Sequence, residues 1–384
     1  MIDAHVEPMR RLLDQPTNPH VQAWRTAGRP VVGYFCHYIP VEIMLAVGAL
    51  PLRLRGVGAE DSSLGDAFLS ERVCTYVRHV MTLALDGRLD VLDAAICSNT
   101  CDHVRRATDL FRAKGKAPYV GFVSVPRALR DGLYPYYREE LRRLFQELCD
   151  HLGADASDRA LRAAIVEANQ VRRRLLRLQE LRLAEPPRLT GADALVATIA
   201  AQVLPSSVFL PWVDELLDEL ERAPALENVR ARVVLVGAEL DEPRYVETIE
   251  GQGALVVADR LCFGARSVLP PLDEDGADPI DTIGRAYFFR PSCARMMGNF
   301  PQRWDALKSD LRRARAEGII FERLLFCDSW GAEQYNLNKR CREQGIPLLS
   351  LNREYGIVPT GQLRTRVQAF VERIEIASHQ EADG

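Results

Sequence analysis

Short apolar segments alternate with amphipathic segments in two separate stretches of this chain, and this alternation restricts its fold more than any other feature. Strands that alternate with helices of about ten residues are typical of βαβ units, which build parallel sheets. We therefore predict an α/β protein with two flavodoxin- or Rossmann-like parallel-sheet domains plus a helical insert. The predicted strands are 31–35, 50–54, 92–96, 119–125, 233–236, 254–257, 286–289, 319–326 and 347–351.

The two alternating stretches are separated by a part of the chain in which we predict only helices, from about residue 134 to 225. After Ser157, which can cap a helix, apolar side chains recur at helical spacing along residues 158–183. This pattern divides the chain into three parts. They are an N-terminal α/β domain (1–150), a helical segment (151–225) and a C-terminal α/β domain (226–384).

The composition excludes some classes of function. With 49 basic and 53 acidic side chains, the chain of 384 residues carries a formal net charge of −4. A protein that binds nucleic acid through bulk electrostatics would carry a basic surface instead. The sequence has no apolar run as long as the roughly 18 residues of a membrane span. We therefore expect no partnership with nucleic acid or membrane.

Nine cysteines and an N-terminus without an apolar core favour a cytoplasmic, reducing location. Cysteines there are free, catalytic or metal-bound. The sequence lacks the glycine-rich nucleotide motifs, the H-E-x-x-H zinc motif and the G-x-S-x-G motif. An ATPase of the P-loop type, a nicotinamide enzyme and a zinc hydrolase are therefore disfavoured.

Three cysteines follow predicted strands and precede predicted helices: Cys97, Cys101 and Cys327. Ligands of open parallel sheets bind at the carboxyl ends of strands, and a helix N-terminus favours the thiolate form of cysteine. Thiolates hold iron–sulfur clusters, although buried cysteines also act as small apolar residues. Cys74, at a predicted helix start, is ambiguous on spacing alone.

The other five cysteines divide into two groups. Cys149 and Cys341 lie inside amphipathic helical patterns, where they are interpreted as core or surface residues. Cys36, Cys262 and Cys293 lie in loops, and their roles stay open.

Three segments carry motifs in a fixed order along the chain. The first is GYFCHYIPVEIMLAVGALPLRLRG, with a P-x-E helix. The second is ERVCTYVRHVMTLALDGRLDVLDAAICSNTCDHVRR, which leads to a T-C-D motif. The third is FCDSWGAEQYNLNKRCREQGIPLLSLNREYGIVPTGQLRTRVQAFVE. Together they resemble the 2-hydroxyacyl-CoA dehydratase and benzoyl-CoA reductase superfamily, and the matches span almost the whole chain in the family's order.

The resemblance implies a 4Fe–4S cluster held by Cys74, Cys101 and Cys327, with Cys97 as a neighbour. Three thiolates would leave one iron with an open or non-cysteine position, which suits substrate chemistry. The resemblance also implies an acyl-CoA substrate and an ATP-dependent iron–sulfur activator protein. A paralogous subunit or a second copy of this chain would complete the complex.

Other residues are candidates for proton transfer and for binding the substrate. Glu42, in the P-x-E helix, and His37 are the candidate proton donors, although Glu42 also suits a helix N-terminus and His37 a structural role. Gly361 and Gln362 could form a backbone turn that meets an anionic ligand, or simply begin a helix.

The sequence departs from the family pattern at two places. Asn352 replaces the first acid of the acidic-x-acidic-Tyr motif. Gly237-Ala238-Glu239 stands where relatives that carry a double-cubane cluster have Gly-Cys-Pro. A double-cubane reductase of small molecules, using Cys262 and Cys293, is therefore an alternative. A non-catalytic electron-relay or structural subunit is another.

Overall fold

The computed structural model describes residues 2–356 and 361–382. It contains two four-stranded sheets in which every neighbouring pair of strands is parallel. The strands are β1 Val31–Tyr34, β2 Leu50–Arg53, β3 Ala94–Ser98, β4 Tyr119–Val123, β5 Ala231–Gly237, β6 Ala254–Arg260, β7 Gly318–Leu324 and β8 Leu348–Arg353. The predicted fold class is confirmed.

Fifteen helices are described between and around these strands. The first seven are α1 Ile2–Leu12, α2 Pro19–Thr26, α3 Val41–Ala46, α4 Ser63–Asp66, α5 Thr75–Leu85, α6 Asp102–Lys114 and α7 Tyr134–Leu152. The next four are α8 Asp158–Leu183, α9 Gly191–Val203, α10 Ser206–Arg222 and α11 Pro243–Glu250. The last four are α12 Pro279–Phe288, α13 Phe300–Arg313, α14 Asp328–Glu343 and α15 Gly361–Ala382. Among the described helices, none is both long and apolar enough to cross a membrane.

Both sheets have the same strand order. It is β2-β1-β3-β4 in the first sheet and β6-β5-β7-β8 in the second. In each sheet the strand order reverses direction between the two central strands, and a crevice opens at their carboxyl ends. Each half of the molecule therefore offers a ligand crevice between its central strands.

The helical segment lies between the two halves. Helix α9 is buried along almost its whole length and contacts both β2 and β6. Helix α8 contacts α3 of the first half and β6 of the second, and its Arg182 pairs with buried Asp259 at 2.6 Å. One apolar core runs through both sheets and these helices. The predicted domain boundaries stay a prediction, but the segment between them bridges the sheets.

One predicted strand is wrong. Residues 286–289 belong largely to helix α12. Asp278 caps this helix by accepting from the N–H of Asp281, and Pro279 occupies its first turn. Ile280, Ile283 and Tyr287 are buried at helical spacing, so the short apolar run is the end of a longer amphipathic pattern.

Candidate functional site

A cavity of about 420 Å³ lies where the carboxyl ends of the two sheets meet. Six of the nine cysteines line it, and we call it the thiol cavity. They are Cys36, Cys74, Cys101, Cys262, Cys293 and Cys327. Cys36 and Cys101 follow β1 and β3, and Cys327 follows β7, so three of these cysteines mark the central crevices of the sheets.

Cys74, Cys101 and Cys327 share a local geometry, and we call them the N-cap triplet. Each is the residue immediately before the first turn of a helix, namely α5, α6 and α14. The N–H of Val104 donates to Cys101 Sγ at 3.4 Å. Backbone N–H groups at helix N-termini point toward an anion, so each helix presents its partial positive charge to a sulfur.

Burial nevertheless keeps these thiols protonated in the chain by itself. It raises the pKa of Cys74 to about 12, although the N–H of Val77 and the charge of Arg78 lower it. Burial also raises the pKa of Cys101 and of Cys327, and in both cases the neighbouring thiols of the triplet add to the effect. The expected preference for thiolate is therefore outweighed, and a bound cation would be needed to restore it.

The triplet does not form a site for a single ion. In the described residues, no three His, Cys, Asp or Glu side chains are close enough to bind one metal ion together. In an iron–sulfur cube each thiolate binds a different iron, so the ligands are spaced farther apart than those of a single metal ion. Three thiols that line one large cavity, of which Cys74 is buried and Cys101 and Cys327 are partly exposed, fit that requirement.

Cys36, Cys262 and Cys293 form a second group in the same cavity, the loop triplet. Their roles cannot be assigned from the sequence, because the sequence does not show that their loops converge. One feature of the sequence does point to this cavity: Cys36 and Cys262 follow strands, as Cys101 and Cys327 do. Burial raises the pKa of Cys36 and of Cys262.

The remaining cysteines lie elsewhere. Cys97 is fully buried within β3 and packs in the apolar core. Cys149 and Cys341 are buried in α7 and α14, as core residues.

Arg295 lines the thiol cavity, and three further buried arginines contact residues of its wall: Arg53 contacts Glu239, Arg266 contacts Cys262 and Arg290 contacts His37. Arg53, Arg266, Arg290 and Arg295 are all at least nine-tenths buried. Glu239 pairs with Arg53 at 3.4 Å. Hydrogen-bond partners among the described residues are lacking for Arg53 Nε and Nη1, Arg290 Nε and Arg295 Nε. The acidic residues Asp102 and Asp328 lie at the exposed rim. Buried cations are costly without a counter-charge, and Glu239 is the only other acid that lines this cavity among the described residues, so the arginine side of the wall suits a further anionic group.

His37 lies in the wall of the thiol cavity. Arg266 Nη2 stands 3.3 Å from His37 Nε2, and because a guanidinium can only donate, Nε2 accepts. Burial and the charges of Arg290 and Arg266 hold the pKa of His37 well below its usual value, so the ring is neutral. Its proton is therefore on Nδ1, which has no partner among the described residues.

Glu42 is fully buried at a different place. Its carboxylate is ion-paired with Arg172 of α8 and accepts a hydrogen bond from Tyr287 at 3.0 Å. This arrangement ties α3 to the helical segment and to α12. The structure thus gives Glu42 a packing role, and its part in proton transfer stays a prediction.

Gly361 and Gln362 begin α15 and are exposed. The four residues before them, 357–360, lie outside the described residues. Whether the turn at Gly361 binds an anion therefore stays a prediction. Asn352 replaces the acid of the family motif and lies near the end of β8. Its side-chain oxygen accepts a hydrogen bond from Arg323 Nε.

The fold and the site define a class: two flavodoxin-like halves that face each other across a cysteine-lined cavity. Comparison with known proteins agrees with this class. Residues 36–374 match the family described as 2-hydroxyglutaryl-CoA dehydratase, D-component. The chain belongs to this family, which confirms the resemblance recognised in the sequence.

Several relatives align over nearly the whole chain. A benzoyl-CoA reductase subunit of Thauera aromatica is 28% identical, covering 92% of this chain and 94% of the relative. The beta subunit of (R)-2-hydroxyglutaryl-CoA dehydratase of Acidaminococcus fermentans is 23% identical, covering 97% and 100%. The (R)-phenyllactyl-CoA dehydratase beta subunit of Clostridium sporogenes is 21% identical, covering 97% and 99%. The chain is thus similar to subunits of enzymes named for acyl-CoA substrates.

Proposed function

We propose that this chain is the iron–sulfur subunit of an ATP-activated radical enzyme that acts on acyl-CoA thioesters. The reaction is either dehydration of a 2-hydroxyacyl-CoA or a reduction of the benzoyl-CoA type. One observation carries the proposal: three cysteines at helix N-cap positions, from both halves of the molecule, line a single cavity. The names of the relatives supply the acyl-CoA thioester.

In this proposal Cys74, Cys101 and Cys327 hold a 4Fe–4S cluster, which when bound supplies one-electron chemistry. The residues of the chain exclude water and set the electrostatics around it. Buried Arg53 and Arg266, which contact Glu239 and Cys262 of the cavity wall, offset negative charge there, and the helix N-termini do so at the thiols. His37, which lines the cavity and carries its ring proton on Nδ1, stays a candidate proton donor.

Two kinds of partner follow from the proposal. An ATP-dependent iron–sulfur activator would deliver the electron, since the sequence has no P-loop. A paralogous subunit or a second copy of this chain would complete the enzyme, because the relatives are named as subunits. The cytoplasmic location expected from the sequence stays a prediction.

A specific observation favours a second candidate function, a double-cubane reductase of small molecules. The loop triplet supplies three further thiols in the same cavity as the N-cap triplet, which makes six. Sequence comparison alone left this ligand set incomplete, because Ala238 and Glu239 replace Cys-Pro. In the structure Cys36 lines the same cavity as Cys262 and Cys293, and this arrangement supports the candidate.

The experiment adds CoA derivatives to the anaerobically purified, reduced protein and follows the EPR signal of its cluster. A change with a 2-hydroxyacyl-CoA or benzoyl-CoA, but not with free CoA, supports the thioester proposal. Reduction of azide, hydrazine or acetylene, with no response to any thioester, supports the double-cubane candidate. A cluster that responds to neither would make this chain an electron-relay subunit and would overturn both.

A further inference from the structure

The main chain at Cys74 is held by two hydrogen bonds with parts of the chain that lie outside its own helix, α5. The N–H of Cys74 donates to His103 Nδ1 at 3.2 Å. One residue later, Thr75 Oγ1 accepts the N–H of Tyr355 at 2.8 Å. The first contact joins the start of α5 to α6, and the second joins it to the C-terminal half. The position of Cys74 therefore depends on its neighbours in the fold.

His103 also belongs to the segment that carries Cys101, the second cysteine of the N-cap triplet. It is the second residue of α6 and lines the thiol cavity together with Cys74 and Cys101. The N–H of Val104, the next residue, donates to Cys101 Sγ at 3.4 Å. The first turn of α6 therefore contacts both cysteines. It contacts the main chain of Cys74 through His103 and the thiol of Cys101 through Val104.

The charges around His103 connect it to the third cysteine of the triplet, Cys327. Asp328 follows Cys327 and lines the same cavity. Burial lowers the pKa of the His103 ring, and the negative charges of Asp328 and Asp102 act against this effect. His103 thus lies among the segments that carry all three members of the triplet.

The contact with Cys74 determines how the His103 ring can act. A backbone N–H can only donate, so Nδ1 accepts and carries no proton. The neutral ring then carries its proton on Nε2, and neither ring nitrogen has a free lone pair for iron. Because Cys74 is buried, its N–H would be costly to leave without an acceptor. His103 therefore acts through the main chain of Cys74 and not as a metal ligand.

We propose that His103 is a positioning residue of the cluster site, which holds Cys74 and Cys101 at the spacing for a shared cluster by accepting the Cys74 N–H on Nδ1. Side chains that orient metal ligands in this way typically contribute about 10- to 100-fold to metal affinity. This inference rests on the proposed function, because the cluster comes from there.

The first test follows amide hydrogen exchange in the iron-free, full-length chain by mass spectrometry. His103→Leu and His103→Gln both remove the acceptor at the Nδ1 position, since the glutamine amide lies one bond farther out. His103→Asn keeps an oxygen near that position. We expect the Cys74 amide to exchange about tenfold faster or more in the first two variants, and at nearly the wild-type rate in His103→Asn.

The second test measures the loss of iron from anaerobically loaded protein to a chelator. His103→Leu and His103→Gln should lose iron at least about tenfold faster than the wild type, and His103→Asn should restore a rate close to the wild type. His151→Leu is the matched control, because His151 Nε2 donates to Asp93 O at 3.1 Å outside the thiol cavity. This variant should lose iron at the wild-type rate.

Two results would overturn the proposal. One is wild-type exchange and wild-type iron loss in both His103→Leu and His103→Gln. The other is iron loss in His103→Asn that is as fast as in His103→Leu, because the ring would then act through its size and not through an acceptor at Nδ1.

The wild-type protein separates this inference from the proposed function. A wild-type protein that never binds iron, although exchange of its Cys74 amide depends on Nδ1, would overturn the proposed function. A wild-type protein that binds iron, with His103→Leu and His103→Gln holding it equally firmly, would overturn the inference alone.

Discussion

The buried pair formed by Glu42 and Arg172 shows how a residue can match a functional motif and also support the fold. Glu42 belongs to the P-x-E segment that suggested a proton donor. In the structure it neutralises a buried guanidinium and accepts from Tyr287. Removing one member of such a pair leaves an uncompensated charge in the interior, which is much costlier than losing a surface ion pair.

We therefore expect Glu42→Ala to lower the free energy of unfolding by about 3–5 kcal/mol, because Arg172 would stay buried without its counter-ion. Urea unfolding monitored by circular dichroism measures the change. Glu60→Ala, at an exposed carboxylate, is the control and should change stability by less than about 0.5 kcal/mol. Wild-type stability of Glu42→Ala would show that the pair is not needed for folding.

At this scale the sequence predicts some site residues and not others. Cys101 and Cys327 could be proposed from position alone, because strand ends and helix starts can be recognised in the pattern. Cys74 required the family resemblance. Cys36, Cys262 and Cys293 could not be assigned, because only the packing of the two halves brings their loops to one cavity.

Helix α9 is the element that joins the two sheets, and its first residue explains how closely it packs. A Cβ on Gly191 would lie 2.6 Å from Val256 Cβ and 2.7 Å from Val256 O in β6. The carboxylate of Glu250 accepts the N–H groups of Gly191 and Ala192 at 2.6 and 3.1 Å, which holds the helix N-terminus in place. The end of α9 is therefore fixed against the second sheet.

We expect Gly191→Ala to destabilise the protein by about 1–3 kcal/mol, because the added methyl group forces α9 away from β6. The shift of the thermal unfolding midpoint reports this loss. Gly132→Ala is the matched control, since its Cβ would meet nothing within 4 Å and Gly132 is exposed. Equal midpoints for both variants would contradict the close packing of α9 on β6.

Elements with a long periodic pattern were predicted well. The two sets of parallel strands and helix α8 were found near their observed bounds, because burial imposes a regular spacing on their apolar residues. The failure at 286–289 concerns a four-residue apolar run, which is equally compatible with a strand and with the last turn of α12. The sequence does not predict that α9 contacts both sheets. This helix is apolar on nearly every face, so no single face indicates what it packs against.

At the scale of the whole molecule, buried polar contacts fix the two halves against each other. Arg55 pairs with Asp241 at 2.9 Å, and Tyr355 donates to the same carboxylate at 2.8 Å. The N–H of Gly56 in turn donates to the Tyr355 hydroxyl at 3.0 Å. These contacts fix the position of the N-terminal half, which carries Cys74 and Cys101, relative to the C-terminal half, which carries Cys327. Such pre-set ligand positions are what a bound cluster requires.

The measurement that tests the account most directly is the iron and acid-labile sulfide content of anaerobically purified protein and of single cysteine variants. We expect about four irons per chain for one cluster, or about eight if the loop triplet holds a second. Cys74→Ser, Cys101→Ser and Cys327→Ser should each lose most of the iron, because each removes one thiolate from the cavity wall. Cys149→Ser and Cys341→Ser, at thiols buried in helices, should keep the wild-type content. Protein that binds no iron, or a Cys327→Ser variant that keeps its iron while Cys149→Ser loses it, would contradict the account.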